Sequence, residues 1–384
     1  MASAHVMVDG YGNIYAPLLP LLIPKLGLSL AAAGTLTMLF QMAASVAQIG
    51  FGRLADRWHP RVLVMTGPVI SVTILSLVGL ATSIPMLAAI LVVGGLGAAA
   101  FHPPAAALAH RLGGDRPGLA MSVYITGGTL GFSLGPLMFA PFAESFGLTW
   151  TPVLALPGLI VVAFFLSRVP PIPLHPSSSG GFQVLRPYAK HLGLLYAIVV
   201  LRTLAAISFS TFVPVMLTRR GLSVAQAGTT VAIYLFASGV GGFFGGPTAD
   251  RFGAKKVIAL SLVIATPFLV VAPLFSGWTF GVLLAIGGFF LQSTLPVNVT
   301  FAQALAPVSA ATVSSIMMGF GWGTGGLSVP FVGMVADRIG IETTLSGVAL
   351  MPLVAAALAL PLPSRAHVET PVRPADVVIS EADA

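Results

Sequence analysis

The chain has 384 residues, of which 56% are hydrophobic and 8% are charged, and it contains no cysteine. So few charges cannot cover the surface of a soluble domain of this length, where about a quarter of the residues would be charged. The lack of cysteine excludes disulfides and thiolate metal sites. The net charge of +7 resides in short loops rather than in one basic face, which excludes a nucleic-acid-binding protein.

Apolar runs of about 20 residues, the length an α-helix needs to cross a bilayer, recur along almost the whole chain. Helices satisfy their own backbone hydrogen bonds in lipid, so the runs predict an all-α polytopic membrane protein. Spans 1 to 6 are predicted at residues 1–24, 29–57, 61–81, 85–112, 117–146 and 149–168. Spans 7 to 12 are predicted at residues 188–218, 223–251, 255–275, 278–306, 309–338 and 343–362.

The composition divides these spans into two groups. Residues 169–187 are rich in proline, serine and glycine, which is typical of a linker and too polar to span a membrane. We therefore predict a six-helix bundle over 1–168, a second one over 188–363, and a polar, disordered tail over 364–384.

The two groups repeat each other. The segment Gly52–Arg57 after span 2 returns 194 residues later as Gly246–Arg251, and the same offset carries Gly27–Ser29 onto Gly221–Ser223. This register indicates a tandem duplication of six spans in the same direction.

The loops are asymmetric in charge. With the amino terminus inside, thirteen lysine and arginine residues fall on the inner side and four on the outer side. The positive-inside rule then predicts a multi-pass protein of the bacterial inner membrane with both chain ends and the linker in the cytoplasm.

Ionisable residues inside spans are expensive, at roughly 2.5–3.5 kcal/mol each at the bilayer centre, and so indicate function. His5 and Asp9 are four residues apart in span 1 and share a helix face. They are the candidate proton-coupling pair. The alternative is that Asp9 serves helix packing near the end of a short span.

Arg202, about midway along span 7, is the candidate ligand for an anionic substrate group. It could instead pair with Asp9 across the two halves or form a structural salt bridge. His102 precedes Pro103 and Pro104 in span 4, and we expect it to line a cavity rather than to be a satisfied buried histidine. Further substrate contacts are predicted at three polar residues within spans, for which an interhelical hydrogen bond is the alternative: Tyr124, Asn298 and Gln292.

The repeated Asp-Arg pairs lie at the cytoplasmic ends of spans 2 and 8. We predict that Asp56 with Arg57, and Asp250 with Arg251, form a latch that holds only in one conformation. Topogenic charge alone is the alternative. Glycines three to four residues apart in spans 5 and 11 predict close helix contacts at the interface between the halves.

Twelve spans in two parallel repeats, with Gly-x-x-x-Asp-Arg after spans 2 and 8, resemble the major facilitator superfamily. Within it, Ala100–Pro103, Gly118–Ser122 and Leu134–Leu137 are similar to the fosmidomycin-resistance branch of drug exporters. Leu91 departs from the many proton-coupled members that carry an arginine in span 4. The resemblance implies alternating access and export of a drug-like or metabolite anion.

We therefore predict a monomeric secondary transporter, a proton-coupled antiporter of a small molecule, with no cofactor and no metal. One alternative is a proton symporter that imports a small organic anion, and another is a non-transporting membrane receptor with the same fold. The Walker loop and His-Glu-x-x-His are absent from the sequence, and no Gly-x-Ser-x-Gly elbow is predicted, since Gly131–Gly135, which has that spacing, lies within span 5.

Overall fold

A computed structural model of the chain describes residues 1–57, 59–170, 182–306 and 310–363. Most of the predicted linker, residues 171–181, and the whole predicted tail, residues 364–384, lie outside this description, as do the side chains of Asp56 and Arg57. The described residues form α-helices with short π and 3-10 segments and no strand.

The helices follow the predicted spans in order. Those of the first half are α1 (Ala2–Gly12), α2 (Tyr15–Leu26), α3 (Leu30–Gln41), α4 (Ala47–Arg57), α5 (Pro60–Leu75), α6 (Ile84–Leu112), α7 (Pro117–Phe146) and α8 (Ala155–Leu166). Those of the second half are α9 (Ala189–Arg219), α10 (Val224–Phe252), α11 (Ala254–Val271), α12 (Gly277–Leu305), α13 (Ala310–Ser315), α14 (Gly321–Leu327), α15 (Val329–Ile339), α16 (Ile341–Val348) and α17 (Met351–Ala359).

Eleven of the described helical stretches are long and apolar enough to cross a membrane, and they correspond to spans 1 to 10 and span 12. The region of span 11 is helical but divided into α13, α14 and α15, with a π segment at Ile316–Phe320. A second π segment at Met42–Val46 divides span 2. π segments of this kind are frequent at functional sites, and these two contact each other across the two halves.

The helix starts show the duplication at atomic detail. The Ser29 hydroxyl accepts from the Ala32 amide at 3.0 Å and so caps the start of span 2. Ser223, 194 residues later, caps α10 in the same way and forms a capping box with Gln226. The same local chemistry therefore begins the second helix of each half.

Close packing between the halves depends on glycines in spans 2 and 11. A methyl group on Gly34 of α3 would lie 2.6 Å from the Val329 carbonyl oxygen, and one on Gly326 would lie 2.9 Å from Gln41. The predicted place of span 11 at the interface is therefore confirmed.

Span 5 also lies at the interface, since α7 packs against α10 of the other half, but its glycine stripe does not make that contact. Gly127, Gly131 and Gly135 of α7 face the backbone of α1 in their own half, where added methyl groups would collide with Ala2, Val6 and Gly10. Glycines on α7 thus let α1, which carries His5 and Asp9, approach closely. The stripe therefore positions α1 rather than an interface between halves.

The helices leave a central cavity of about 1850 Å³ that opens on one membrane face. We call the open side the terminal face, and it carries the ends of spans 2, 4 and 8. Three residues line the mouth of the cavity there: Arg53, Arg111 and Pro247. On the opposite, distal face the two halves are in direct contact through Asp337 and Glu144. The structure is thus open at the terminal face and closed at the distal face.

Candidate transport site

The cavity wall combines polar side chains from both halves. From the first half come the predicted residues His5, Asp9, His102 and Tyr124, and from the second comes Gln292. The wall also includes three residues that the sequence analysis did not single out: Tyr234, Ser238 and Trp322. Arg202 and Asn298, both fully buried, lie behind the wall rather than on it.

Asp9 is held between two histidines. Its Oδ2 lies 3.1 Å from His5 Nε2, and its Oδ1 lies 3.0 Å from His102 Nε2. The helix spacing brings His5 onto the face of Asp9, as predicted, while His102 comes from α6, 93 residues away in sequence. Asp9 is 8% exposed, so the three side chains form a nearly enclosed triad at the cavity wall.

The Nδ1 atoms of His5 and His102 show which ring nitrogens carry hydrogens. His5 Nδ1 lies 2.7 Å from the Tyr124 carbonyl oxygen, and His102 Nδ1 lies 2.7 Å from the Ala98 carbonyl oxygen. A carbonyl oxygen only accepts, so each Nδ1 donates its own hydrogen. Each Nε2 contact with Asp9 then needs one further proton between nitrogen and oxygen.

The number of protons therefore controls the geometry of the triad. With a proton in each Nε2 contact, both hydrogen bonds to Asp9 are made and the triad carries one net positive charge. When one proton leaves, an imidazole lone pair faces a carboxylate oxygen and that contact is lost. The contact between Asp9 of α1 and His102 of α6 is therefore one that requires a proton.

Tyr124 and Gly128 of α7 build the third side of the triad. The Tyr124 ring stacks on the His5 ring with centroids 4.1 Å apart. A methyl group on Gly128 would lie 2.5 Å from Asp9 Oδ2 and 2.6 Å from His5 Nε2. Glycine at position 128 is therefore required for Asp9 and His5 to fit against α7.

The spacing of the triad would also admit a cation, since its ligand atoms all lie within 4.8 Å of one another. Each histidine Nε2, however, lies 3.0–3.1 Å from one carboxylate oxygen, which is hydrogen-bond distance. A proton in each of these two contacts fits the observed geometry.

Arg202 of α9 is not paired with Asp9. Its Nη1 donates to Gln292 Oε1, its Nη2 donates to Thr203 Oγ1 at 3.0 Å, and its Cζ lies 5.8 Å from the centre of the Trp322 ring. The pairing across the two halves, which the sequence left open, is absent among the described residues in this conformation. Asn298 is buried, and neither of its side-chain polar atoms has a described partner.

Of the predicted latch, Asp250 and Arg251 are described. Both are exposed at the terminal face, and Arg251 stacks over the Phe252 ring at 5.2 Å. Within the described part of the chain Asp250 forms no ion pair. The predicted latch should be open in a conformation whose cavity is open at this face, and the lack of an ion pair at Asp250 agrees with that.

The distal face carries contacts that the sequence analysis missed. Asp337 of α15 accepts from the Leu30 and Ala31 amides at 2.9 and 3.0 Å. Glu144 of α7 accepts from the Ala225 amide at 2.8 Å and from the Ser223 hydroxyl at 3.1 Å. The two acids are 193 residues apart, one residue less than the repeat offset of 194, so a search for acids near that offset at span ends would have revealed them.

These features define a helical membrane transporter, built from two repeats around a polar cavity that is open on one face. A family model of the Major Facilitator Superfamily matches residues 1–223 and 195–379. The chain belongs to the major facilitator superfamily, and it has that family's fold of twelve spans in two parallel six-helix repeats. Members of this family are secondary transporters of small molecules and not enzymes.

Relatives with known names support the predicted branch. The chain is 30% identical to the fosmidomycin resistance protein of Escherichia coli (strain K12), covering 96% of this chain and 92% of the relative. It is 29% identical to a chloramphenicol resistance protein of Streptomyces lividans, covering 94% of each chain. Among solved structures, a bacterial homologue of the lysosomal transporter Spinster, inward-facing and unoccupied, matches with a TM-score of 0.76 and 18% identity. That match covers 93% of this chain and 94% of the other.

Proposed function

We propose that this protein is a proton-coupled antiporter that exports a drug-like or metabolite anion by alternating access across the bacterial inner membrane. The observation that carries the proposal is Asp9, the one acidic side chain among the described residues of the cavity wall, held between two histidines. We infer that it works as a monomer, with 1–168 and 188–363 as the two moving bundles.

The terminal face is the cytoplasmic one in this proposal. The excess of basic loop residues on that face supports the assignment. The cavity is then open to the cytoplasm, where an exporter collects its cargo. The distal contacts of Glu144 and Asp337 close the outer side.

The charges of the cavity favour an anion. Apart from Asp9 and the tyrosines, the ionisable described side chains on the wall are basic: His5, Arg53, His102, His110 and Arg111. A cleft lined by one sign of charge concentrates the opposite sign. The names of the relatives, which confer resistance to fosmidomycin and to chloramphenicol, support a drug-like cargo.

The coupling step follows from the triad. In the outward-open state a proton enters and both histidine contacts with Asp9 form, which prepares the return of the empty carrier. In the inward-open state, release of that proton breaks one contact and frees the site for cargo. Asp56 with Arg57 and Asp250 with Arg251 latch the cytoplasmic side in the outward-open state.

Purified protein in proteoliposomes with an imposed pH gradient tests the proposal, with fosmidomycin as the probe and a pH-sensitive dye inside. Wild type should move the drug uphill against the proton flux. Asp9→Asn should stop this while leaving exchange of labelled for unlabelled drug intact, because the carrier can still cycle when loaded. Undiminished uphill transport by the variant would remove Asp9 from the mechanism.

Movement of drug and protons in the same direction would instead indicate the symporter. If no compound of a panel of anions and lipophilic drugs moves at all, the receptor interpretation takes the place of the transporter.

A further inference from the structure

We propose that Arg202 acts on the anionic cargo through Gln292, as a positioning residue, and that the Gln292 amide group is the contact that recognises an oxyanion. This inference rests on the proposed export of an anion. It replaces direct binding by Arg202, which the sequence suggested, with a relay of two side chains.

Arg202 is a buried cation without a counter-ion. It is 0% exposed, and no carboxylate lies within ion-pair distance of it among the described residues. Its Nε has no hydrogen-bond partner. A guanidinium keeps its proton even at depth, so the positive charge persists and stabilises negative charge nearby.

Two side chains of the cavity wall lie against this cation. Gln292 and Trp322 both line the wall and both contact Arg202, the first by a hydrogen bond and the second through its ring. Cargo in the cavity therefore meets Gln292 and Trp322 before it can meet the guanidinium. Direct contact would require these side chains to move aside.

The hydrogen bond from Arg202 determines which way the Gln292 amide points. A guanidinium has donors only, so the amide oxygen must face it and the NH2 group must point elsewhere. The Gln292 nitrogen makes no hydrogen bond to a described residue and remains accessible at the cavity wall. The cavity wall therefore presents an N–H donor, polarised from behind by a buried positive charge.

Such a donor selects cargo that carries an oxyanion, such as a carboxylate, phosphate or phosphonate. Hydrogen bonds to charged groups are about twice as strong as neutral ones, so a neutral drug gains less from the same contact. The apolar Trp322 ring beside it is suited to the uncharged part of the molecule.

The sharpest variant is Gln292→Glu. The new carboxylate keeps the contact with Arg202 as an ion pair, so folding is preserved, but it turns an oxygen instead of an N–H group towards the cavity. We expect KM for fosmidomycin, a phosphonate, to rise roughly ten- to hundredfold. KM for chloramphenicol, which is neutral, should stay within about twofold.

A double-mutant cycle separates the relay from direct contact. If Arg202 acts through Gln292, then Arg202→Met with Gln292→Ala should raise KM no more than the more severe single variant does. Arg202→Lys, which still donates to the amide oxygen, should restore much of the loss seen in Arg202→Met. If the two single-variant increases in KM multiply in the double variant, the guanidinium contacts the cargo itself and the relay is wrong.

The failure of this inference is distinct from that of the proposed function. If wild type moves fosmidomycin and Gln292→Glu leaves its KM unchanged, the relay fails while antiport stands. If wild type moves no anion under a pH gradient, both fail together.

Discussion

Glu144 and Asp337 occupy equivalent positions in the two halves, and each accepts hydrogen bonds from the first turn of a helix in the opposite half. Both helix starts carry a serine cap at the same repeat position, Ser29 and Ser223. A carboxylate at a helix amino terminus gains from the backbone donors and from the helix dipole together. The distal face is thus closed by two contacts of one kind, placed by the duplication.

Removing both charges should favour opening of the distal face. Glu144→Gln with Asp337→Asn keeps the side-chain shape but loses the charge. Because the chain has no cysteine, Ser210→Cys on the cavity wall provides a single label site. We expect its labelling by an impermeant maleimide from the distal side to rise roughly fivefold in the double variant, the effect of about 1 kcal/mol.

Glu342→Gln is the matched control for this experiment, since Glu342 pairs with Arg220 in its own half at 3.2 Å. It should leave the labelling unchanged. Equal labelling in the double variant and in the control would show that the paired carboxylates do not hold the distal face closed.

The fit of Gly128 against the triad gives a second prediction. Gly128→Ala should displace Asp9 or His5, because the methyl group would lie 2.5–2.6 Å from their polar atoms. Overpacking of this kind costs about 1–3 kcal/mol. We expect gradient-driven transport in proteoliposomes to fall roughly tenfold.

Gly193→Ala in α9 is the control, since a methyl group there meets nothing within 4 Å. Full activity of Gly128→Ala under a pH gradient would contradict the requirement for close contact between α7 and the triad.

The two histidine contacts of Asp9 predict that His102 is needed for coupling. His102→Gln can hold one hydrogen bond to Asp9 but cannot take up a proton, so the drug gradient sustained by a given pH gradient should collapse. Exchange of labelled drug should persist. His110→Gln, at the exposed mouth of the same cavity, should sustain the same drug gradient as wild type. Equal coupling in both variants would exclude His102 from proton transfer.

Arg220 predicts a stability effect that is separate from transport. It donates to Glu342 Oε1 at 3.2 Å, to the Phe275 carbonyl at 2.7 Å and to the Pro273 carbonyl, which ties spans 7, 9 and 12 together at the distal face. Arg220→Met should lower the free energy of unfolding by about 1–2 kcal/mol after allowance for its partial exposure. Thermal unfolding in detergent measures this, and the exposed neighbour Arg219→Met should show no shift.

The fold could be predicted from the sequence because its causes are local or periodic. Apolar runs of bilayer length require helices, and the offset of 194 residues reveals the duplication without any knowledge of packing. The cap at Ser29 is local in the same sense, since it depends on four consecutive residues. The breaks in spans 2 and 11 could not be predicted, because π segments depend on neighbouring helices.

The sequence predicts only part of the site. Asp9 stands out because it is the one acid deep in a span, and helix geometry places His5 beside it. That His102 completes the triad depends on how α6 packs against α1. Arg202 stands out because a charge inside a span is energetically costly. Whether it faces the cavity depends on Gln292 and Trp322, which contact it only once the helices have packed.

The sequence alone therefore determined the class of protein, its duplication and the short inventory of buried ionisable residues, because each is set by the cost of charge and unpaired backbone in lipid. The tertiary structure decided which of these residues meet. Contacts such as His102 with Asp9, Glu144 with α10 and Asp337 with α3 join residues 80 to more than 300 positions apart. No local pattern encodes such distances, since they arise only when whole helices pack against one another.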